Sequence, residues 1–280
     1  VNSVTRSVFN RCVVAAALFA GVVAVAAGAE RETGPARKKK VLVELYTSQG
    51  CDSCPPASEL LGALEELGYD TEKIVPIGFH VDYFNDPWVD RYSDAAFSRR
   101  ELEYNEVLGR DDLYFTPMMM IDGATPLLGS DRPKVLAGVE RALKAPAGLT
   151  LAAKLEGTRD ARTLAVELSK PALAVAGRDL LVGVVLTEGP LTTEVRSGEN
   201  DGKRLVEHFV ARSFRQQRAR VERSGPKKLS VPVALREGQD PARTRVAVFV
   251  QDRQTGAVYQ ADSLPWDPPP KKRRQSSNVP

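Results

Sequence analysis

The hydrophobic period of the chain changes once, near Pro146, and that change limits its architecture more than any other feature. Before it, apolar strands alternate with helical spacing. Residues 41–46 read as a mostly apolar, buried parallel strand. Pro55 and Pro56 suit the first turn of a helix, where a missing N–H costs nothing. Leu60, Leu61, Leu64 and Leu67 then follow at helical spacing, and Gly68 supplies the stop. Residues 74–81 form a second apolar strand, and a weakly periodic helix over 90–108 closes near Gly109. Residues 118–121 are a third strand, Asp122-Gly123 a hairpin turn and 126–128 its partner. Ser130 or Asp131 caps a last helix carrying Leu136, Val139 and Leu143. Beyond Pro146 the period becomes two: Leu164, Val166 and Leu168 alternate, as do Val182, Val184 and Leu186, and Val246, Val248 and Val250. That is the pattern of an antiparallel sheet or sandwich. Pro232 inside one such run predicts an edge strand.

The order strand-helix-strand-helix-strand-strand-helix, with Cys-x-x-Cys between the first strand and helix, predicts an α/β thioredoxin-like domain over 41–145. A β-rich, sandwich-like domain is expected over 147–266. Residues 1–29 read as a signal peptide: Arg6 and Arg11, an apolar run, then Ala27-Gly28-Ala29 before the cleavage point. The run is shorter than the ~20 residues of a spanning helix. This predicts an exported protein, periplasmic or secreted, with no membrane span once the leader is removed. Residues 30–40 read as a basic linker and 267–280 as a disordered basic tail. Lys plus Arg number 39 against 36 Asp plus Glu, a formal net charge of +3. Part of that excess sits in the leader and tail, so no basic face of the kind a nucleic-acid binder needs is expected.

Removing the leader takes Cys12 with it and leaves Cys51 and Cys54. Two cysteines so close cannot brace a long loop, and export places them where a Cys51–Cys54 disulfide persists. Structural zinc wants four ligands, whereas this chain offers one cysteine pair and two histidines. Thiol–disulfide exchange needs an accessible thiolate and a second thiol to resolve the mixed disulfide. Cys51, at the strand-to-helix turn, reads as the nucleophile, favoured by free N–H groups and the dipole of the helix start. Cys54 reads as the resolving thiol. The charge of Asp52 opposes the Cys51 thiolate, which favours a reductase or isomerase over an oxidase.

Thr116-Pro117 stands where a thioredoxin-like fold places a cis proline facing the dithiol, with the Thr116 backbone offered to substrate. His80 and Asp82 end the second strand at the sheet edge where ligand sites gather. Either they relay a proton there, or His80 is a hydrogen-bonded core histidine and Asp82 a loop cap. Met118, Met119 and Met120 are the only methionines. With Cys51, Cys54 and His80 they would suit Cu(I), but strand alternation sends Met119 to the opposite face and packing is the plainer account. No cofactor is expected, with copper or zinc as the alternative. The run from Gly198 to Lys203 is one residue short of a phosphate loop, and Arg204 replaces the Ser or Thr that would hold magnesium. It reads instead as a turn entering a strand over 205–214, in which His208 is structural.

The run Val43-Glu44-Leu45-Tyr46-Thr47-Ser48-Gln49-Gly50-Cys51-Asp52-Ser53-Cys54-Pro55-Pro56-Ala57 closely resembles the opening of the secreted, thioredoxin-like DUF1223 family. Phe79-His80-Val81-Asp82-Tyr83-Phe84, Tyr114-Phe115-Thr116-Pro117, Ile121-Asp122-Gly123 and Gly129-Ser130-Asp131-Arg132 resemble it too. Gly198-Glu199-Asn200-Asp201-Gly202, through Leu205 and His208, is similar to the family's C-terminal motif. The resemblance covers roughly residues 41–262. It implies an exported thioredoxin-like domain with a β-rich region, no established substrate, and an interest in the Gly198 loop and His208 without a role for them. The function expected is thiol–disulfide exchange with protein or small thiol and disulfide substrates. The rivals are a binding module with an inert disulfide and a metal-handling protein using the same cysteines.

Overall fold

Strands β1 (Val41–Thr47) and β2 (Ile74–His80) run parallel, and every residue in both is buried. The computed structural model describes residues 38–158 and 162–267. The expected signal peptide, linker residues 30–37 and the tail from 268 lie outside the described residues. Helix α1 (Pro55–Ala63) connects the first two strands. Helix α2 (Ala95–Leu108) starts where the Asp94 carboxylate accepts from Ala96 N–H and stops at Gly109, whose φ of 62° is left-handed. Strands β3 (Met118–Ile121) and β4 (Thr125–Leu128) form the expected hairpin, with Asp122 and Gly123 at φ 50° and 66°. Helix α3 (Arg132–Leu143) is capped by Asp131, which accepts from Lys134 N–H.

The order of these elements follows the sequence pattern, but the expected fold class does not hold. The remaining strands are β5 (Thr150–Gly157), β6 (Arg162–Ser169), β7 (Leu180–Glu188), β8 (Leu191–Glu194), β9 (Arg204–Glu207), β10 (Val210–Ala219), β11 (Lys227–Val233), β12 (Thr244–Asp252) and β13 (Val258–Pro265). Thirteen strands and three α-helices among the described residues make the protein mostly β. One mixed, eight-stranded sheet runs β13-β12-β7-β10-β2-β1-β3-β4 straight across the Pro146 boundary. This replaces the expected α/β thioredoxin-like domain followed by a separate sandwich.

The join is β10 on β2. Val210 lies opposite Gly78, and Gly78 N–H donates to Phe209 O at 2.8 Å. A Cβ at Gly78 would stand 3.1 Å from His208 O, a tight contact that glycine at residue 78 avoids. The physical reason for the correction is the edge of β2. Left bare, it would present unpaired backbone groups inside an apolar setting. The hydrophobic period reports which faces of a strand are buried, not which strand completes its edge. The expected strand over 205–214 is likewise broken at His208–Phe209, where Phe209 takes φ 51°.

Three buried clusters hold the layers together. Leu151, Leu164 and Leu168 pack with Val182, Val248 and Trp266 between the large sheet and a three-stranded sheet, β11-β6-β5. Pro232 does sit on an edge strand, β11. On one face of the large sheet Phe97 and Tyr104 of α2 pack with Tyr46, Phe79, Met118, Met120 and Phe249. On the other, α1 and α3 cover Val43, Leu45 and Met119. The methionines thus alternate into two apolar layers, as strand geometry requires.

Candidate redox site

After β1 the chain turns through Cys51 N–H to Ser48 O (3.3 Å) and Gly50 N–H to Ser48 Oγ (3.1 Å). Cys51 and Cys54 form a disulfide with their Cα atoms 5.5 Å apart, and Cys54 is the N-cap of α1. The helix start differs from the simple expectation of free donors. Pro55 and Pro56 carry no N–H, while those of Ala57 and Ser58 both donate to Cys54 O, at 2.9 and 3.2 Å. The dipole remains to favour a thiolate, but the unpaired donors do not. Nor are the sulfurs open to solvent. Cys51 is 2% exposed and Cys54 1%, although Asp52 and Ser53 between them are exposed. The expected accessible nucleophile is therefore covered in this oxidised state.

The loop between β8 and β9 borders this turn, while Cys51 Sγ itself lies 3.3 Å from Ser53 Oγ. Asn200 is fully buried; its Nδ2 donates to Gln49 O at 2.9 Å and to Cys51 O at 2.8 Å, residues about 150 positions away. Asn200 Oδ1 accepts from Lys203 Nζ at 2.8 Å. Asp52 N–H donates to Glu199 Oε2 at 3.0 Å. Gly198 turns at φ 77° against Pro87 and Trp88, and Gly202 turns at φ 75°. On another side, a Cβ at Gly50 would lie 2.6 Å from Phe84 O, so only glycine fits beneath that carbonyl. Gly198, Asn200 and Gly202 thus belong to the loop that meets the cysteine turn. His208 goes elsewhere: its ring lies on Gly62 of α1, beside a cavity of about 560 Å³ shared with Glu65, Arg243 and Arg245.

His80 and Asp82 are not brought together. His80 Nδ1 stands 2.6 Å from Asp90 Oδ2, and its Nε2 is 4.0 Å from Glu207 Oε2. Burial disfavours the imidazolium, but the Asp90 charge and hydrogen bond, with Glu207 behind, outweigh it and raise the His80 pKa. Burial also works against the Asp90 carboxylate. It is overcome by His80 and by N–H donors from Gln49 and Tyr92, so Asp90 is held below the usual carboxylate range. Asp82 instead accepts from Ser98 Oγ at 2.5 Å. Sequence reasoning missed Asp90, which reaches His80 across a loop without any periodic signal. It also missed Glu101. Glu101 accepts from Tyr83 Oη (3.0 Å) and Phe115 N–H (3.2 Å), and burial pushes its pKa up to about 8 against those two donors.

The Thr116–Pro117 bond is cis. Met118 pairs with Tyr46 and Thr47 with His80, so Pro117 enters β3 at the sheet edge where β1 runs into the cysteine turn. Pro117 O accepts from Gly129 N–H at 2.8 Å, which commits that carbonyl to the fold. Thr116 Oγ1 and Gln49 Nε2 are buried without hydrogen-bond partners. Among the described residues, no group of three or more His, Cys, Asp or Glu converges as a metal site.

The model of a family described as protein of unknown function (DUF1223) matches residues 42–251. The chain belongs to the DUF1223 family. Among solved structures, protein AGR_C_4864 from Agrobacterium tumefaciens is similar with a TM-score of 0.62 and 21% identity, over 82% of this chain and 95% of that one. HBP35 of Porphyromonas gingivalis is similar with a TM-score of 0.63 and 16% identity, over 87% of this chain and 80% of that one. At such identities these likenesses concern the fold of this DUF1223 chain alone. No curated protein matches it. Among its described residues no helix is long and apolar enough to cross a membrane.

Proposed function

We propose that the protein is an exported thiol–disulfide oxidoreductase working through Cys51 and Cys54 on protein or small thiol and disulfide substrates. The observation that carries this reading is a disulfide closed across one turn, where it stabilises little. Loop entropy assigns a bridge of this size about 2 kcal/mol, against about 4.7 kcal/mol for a 100-residue loop. The turn is already held by Cys54 N–H to Cys51 O (3.3 Å) and by the bonds to Ser48. A staple is not needed there.

In the reduced state the Cys51 thiolate attacks a client disulfide. A Cys51–client S–S bond forms, the client bond breaks, and the leaving client thiolate takes a proton. The Cys54 thiolate then attacks Cys51 Sγ, forming the Cys51–Cys54 disulfide and releasing the second client thiolate. The client gains two electrons and two protons, and a dithiol protein returns the pair to its reduced state. The loss of free N–H donors at the helix start, together with Asp52, supports a reductase or isomerase over a strong oxidant.

The burial of both sulfurs favours a second reading, a binding module with an inert bridge. Mixed-disulfide trapping separates the two. Cys54→Ser should hold a client on Cys51, and Cys51→Ser should hold none. Failure of Cys54→Ser to trap any thiol or disulfide substrate, with a reduction potential below about −300 mV, would establish the inert bridge instead.

A further inference from the structure

We infer that Asn200 is a positioning residue that closes the Cys51–Cys54 bridge against exchange, so that the loop between β8 and β9 must leave the cysteine turn before a thiol reaches either sulfur. This inference rests on the exchange reading above and adds the step that controls it.

Attack on a disulfide requires access to one of its sulfurs. With exposures of 2% and 1% neither cysteine offers it, and the loop bonded to Cys51 O and Asp52 N–H borders the turn. The loop holds the turn by few bonds: two from Asn200 Nδ2 to Gln49 O and Cys51 O, and one from Asp52 N–H to Glu199. The strands that carry it form a two-stranded sheet of their own, outside the eight-stranded sheet that anchors β1. Glu207 of β9 stands behind His80, so we assign the movement to the loop at the ribbon's tip rather than to its strands.

The chemistry of the amide makes Asn200 the holding group. Two carbonyl oxygens need donors, and the side-chain NH₂ supplies both. Lys203 Nζ, at 2.8 Å, needs an acceptor and takes Oδ1. The opposite orientation would set oxygen against two carbonyls and NH₂ against an ammonium, so the partners define which way the amide faces. A carboxylate at this position would be the same size with no donor at all. It would repel the carbonyls of Gln49 and Cys51 and drive the loop away.

The test is the rate at which dithiothreitol reduces the oxidised full chain under native conditions, followed by alkylation and mass measurement at Cys51 and Cys54. Asn200→Asp and Asn200→Ala should each speed reduction at least about tenfold, with little change in the rate across low, non-denaturing urea. Lys203→Met, which alters an exposed side chain, should give a smaller rise through a less ordered amide. Unchanged rates in these variants would overturn the inference. So would a rise that climbs steeply with urea, since that signature belongs to global unfolding. Client turnover is a separate readout: a wild-type dithiol that reduces no client sinks the exchange reading and leaves the reduction rates to be judged by themselves.

Discussion

His80 Nδ1 and Asp90 Oδ2 stand 2.6 Å apart with both side chains buried, and the same Asp90 oxygen accepts Gln49 N–H two residues before Cys51. A buried ion pair thereby ties the end of β2 to the cysteine turn. Breaking one partner of such a pair leaves an uncompensated charge and costs about 3–5 kcal/mol.

The pair makes stability depend on pH in a defined direction. His80 has its folded pKa raised above 6.5, so its contribution is complete below that value and fades as pH rises through the raised one. Asp90 has its folded pKa lowered below 3.8, so its contribution is present above 3.8 and fades as pH falls through the lowered one. The stability lost in Asp90→Asn should be largest near pH 5–6. It should shrink as pH rises through the His80 transition. Urea midpoints of both proteins from pH 5 to 9 check this, and a gap that widens above pH 7 would contradict it.

Glu101 acts in the opposite sense. Its folded pKa of about 8 exceeds the ordinary 4.5, so between those values the native state binds more protons than the unfolded chain. Stability contributed at this residue falls as pH rises, by at most about 1.4 kcal/mol per pH unit. Glu101→Gln should flatten that slope and should be more stable relative to wild type at pH 8 than at pH 5. Parallel stability curves for the two proteins would count against a buried, protonated Glu101.

Gly62 and His208 share one space. A Cβ at residue 62 would come within 2.5 Å of the imidazole ring, so something must shift. Gly62→Ala should destabilise the protein by about 1–3 kcal/mol. In the His208→Ala background the same change should cost less, with a coupling of at least about 0.5 kcal/mol. A double-mutant cycle by urea denaturation measures it, and strict additivity would show that the ring simply moves aside.

The two prolines at the start of α1 bear on the redox potential. Without N–H donors there, the thiolate is less favoured and the bridge less oxidising. The potential should lie below about −200 mV, away from the roughly −120 mV of strong oxidants. Restoring donors with Pro55→Ala and Pro56→Ala should raise it by about 10–30 mV, since 30 mV corresponds to about 1.4 kcal/mol. Equilibration against glutathione buffers gives both values. A wild-type potential near −120 mV would refute the argument.

Much of the local structure was legible from residue pattern. The hairpin at Asp122-Gly123, the stop at Gly109, the cap at Asp131 and the edge position of Pro232 all depend on neighbouring backbone geometry. The separation of Met119 from Met118 and Met120 follows from strand alternation alone. His80 was readable as important, but its partner was not. Asp82 is near in sequence, whereas Asp90 is near in space.

The sequence by itself determined where strands, helices and turns form, because apolar period, capping residues and φ preferences act over a few residues. It also set the two cysteines one turn apart at the start of a helix. Tertiary structure decided that β10 completes the edge of β2, so that one sheet crosses the expected boundary. It decided too that Asn200 bonds the Cys51 carbonyl about 150 residues away. Both outcomes depend on unpaired backbone groups finding partners. Any donor of the right shape can serve such a group, so the pattern of one segment does not name the distant segment that satisfies it.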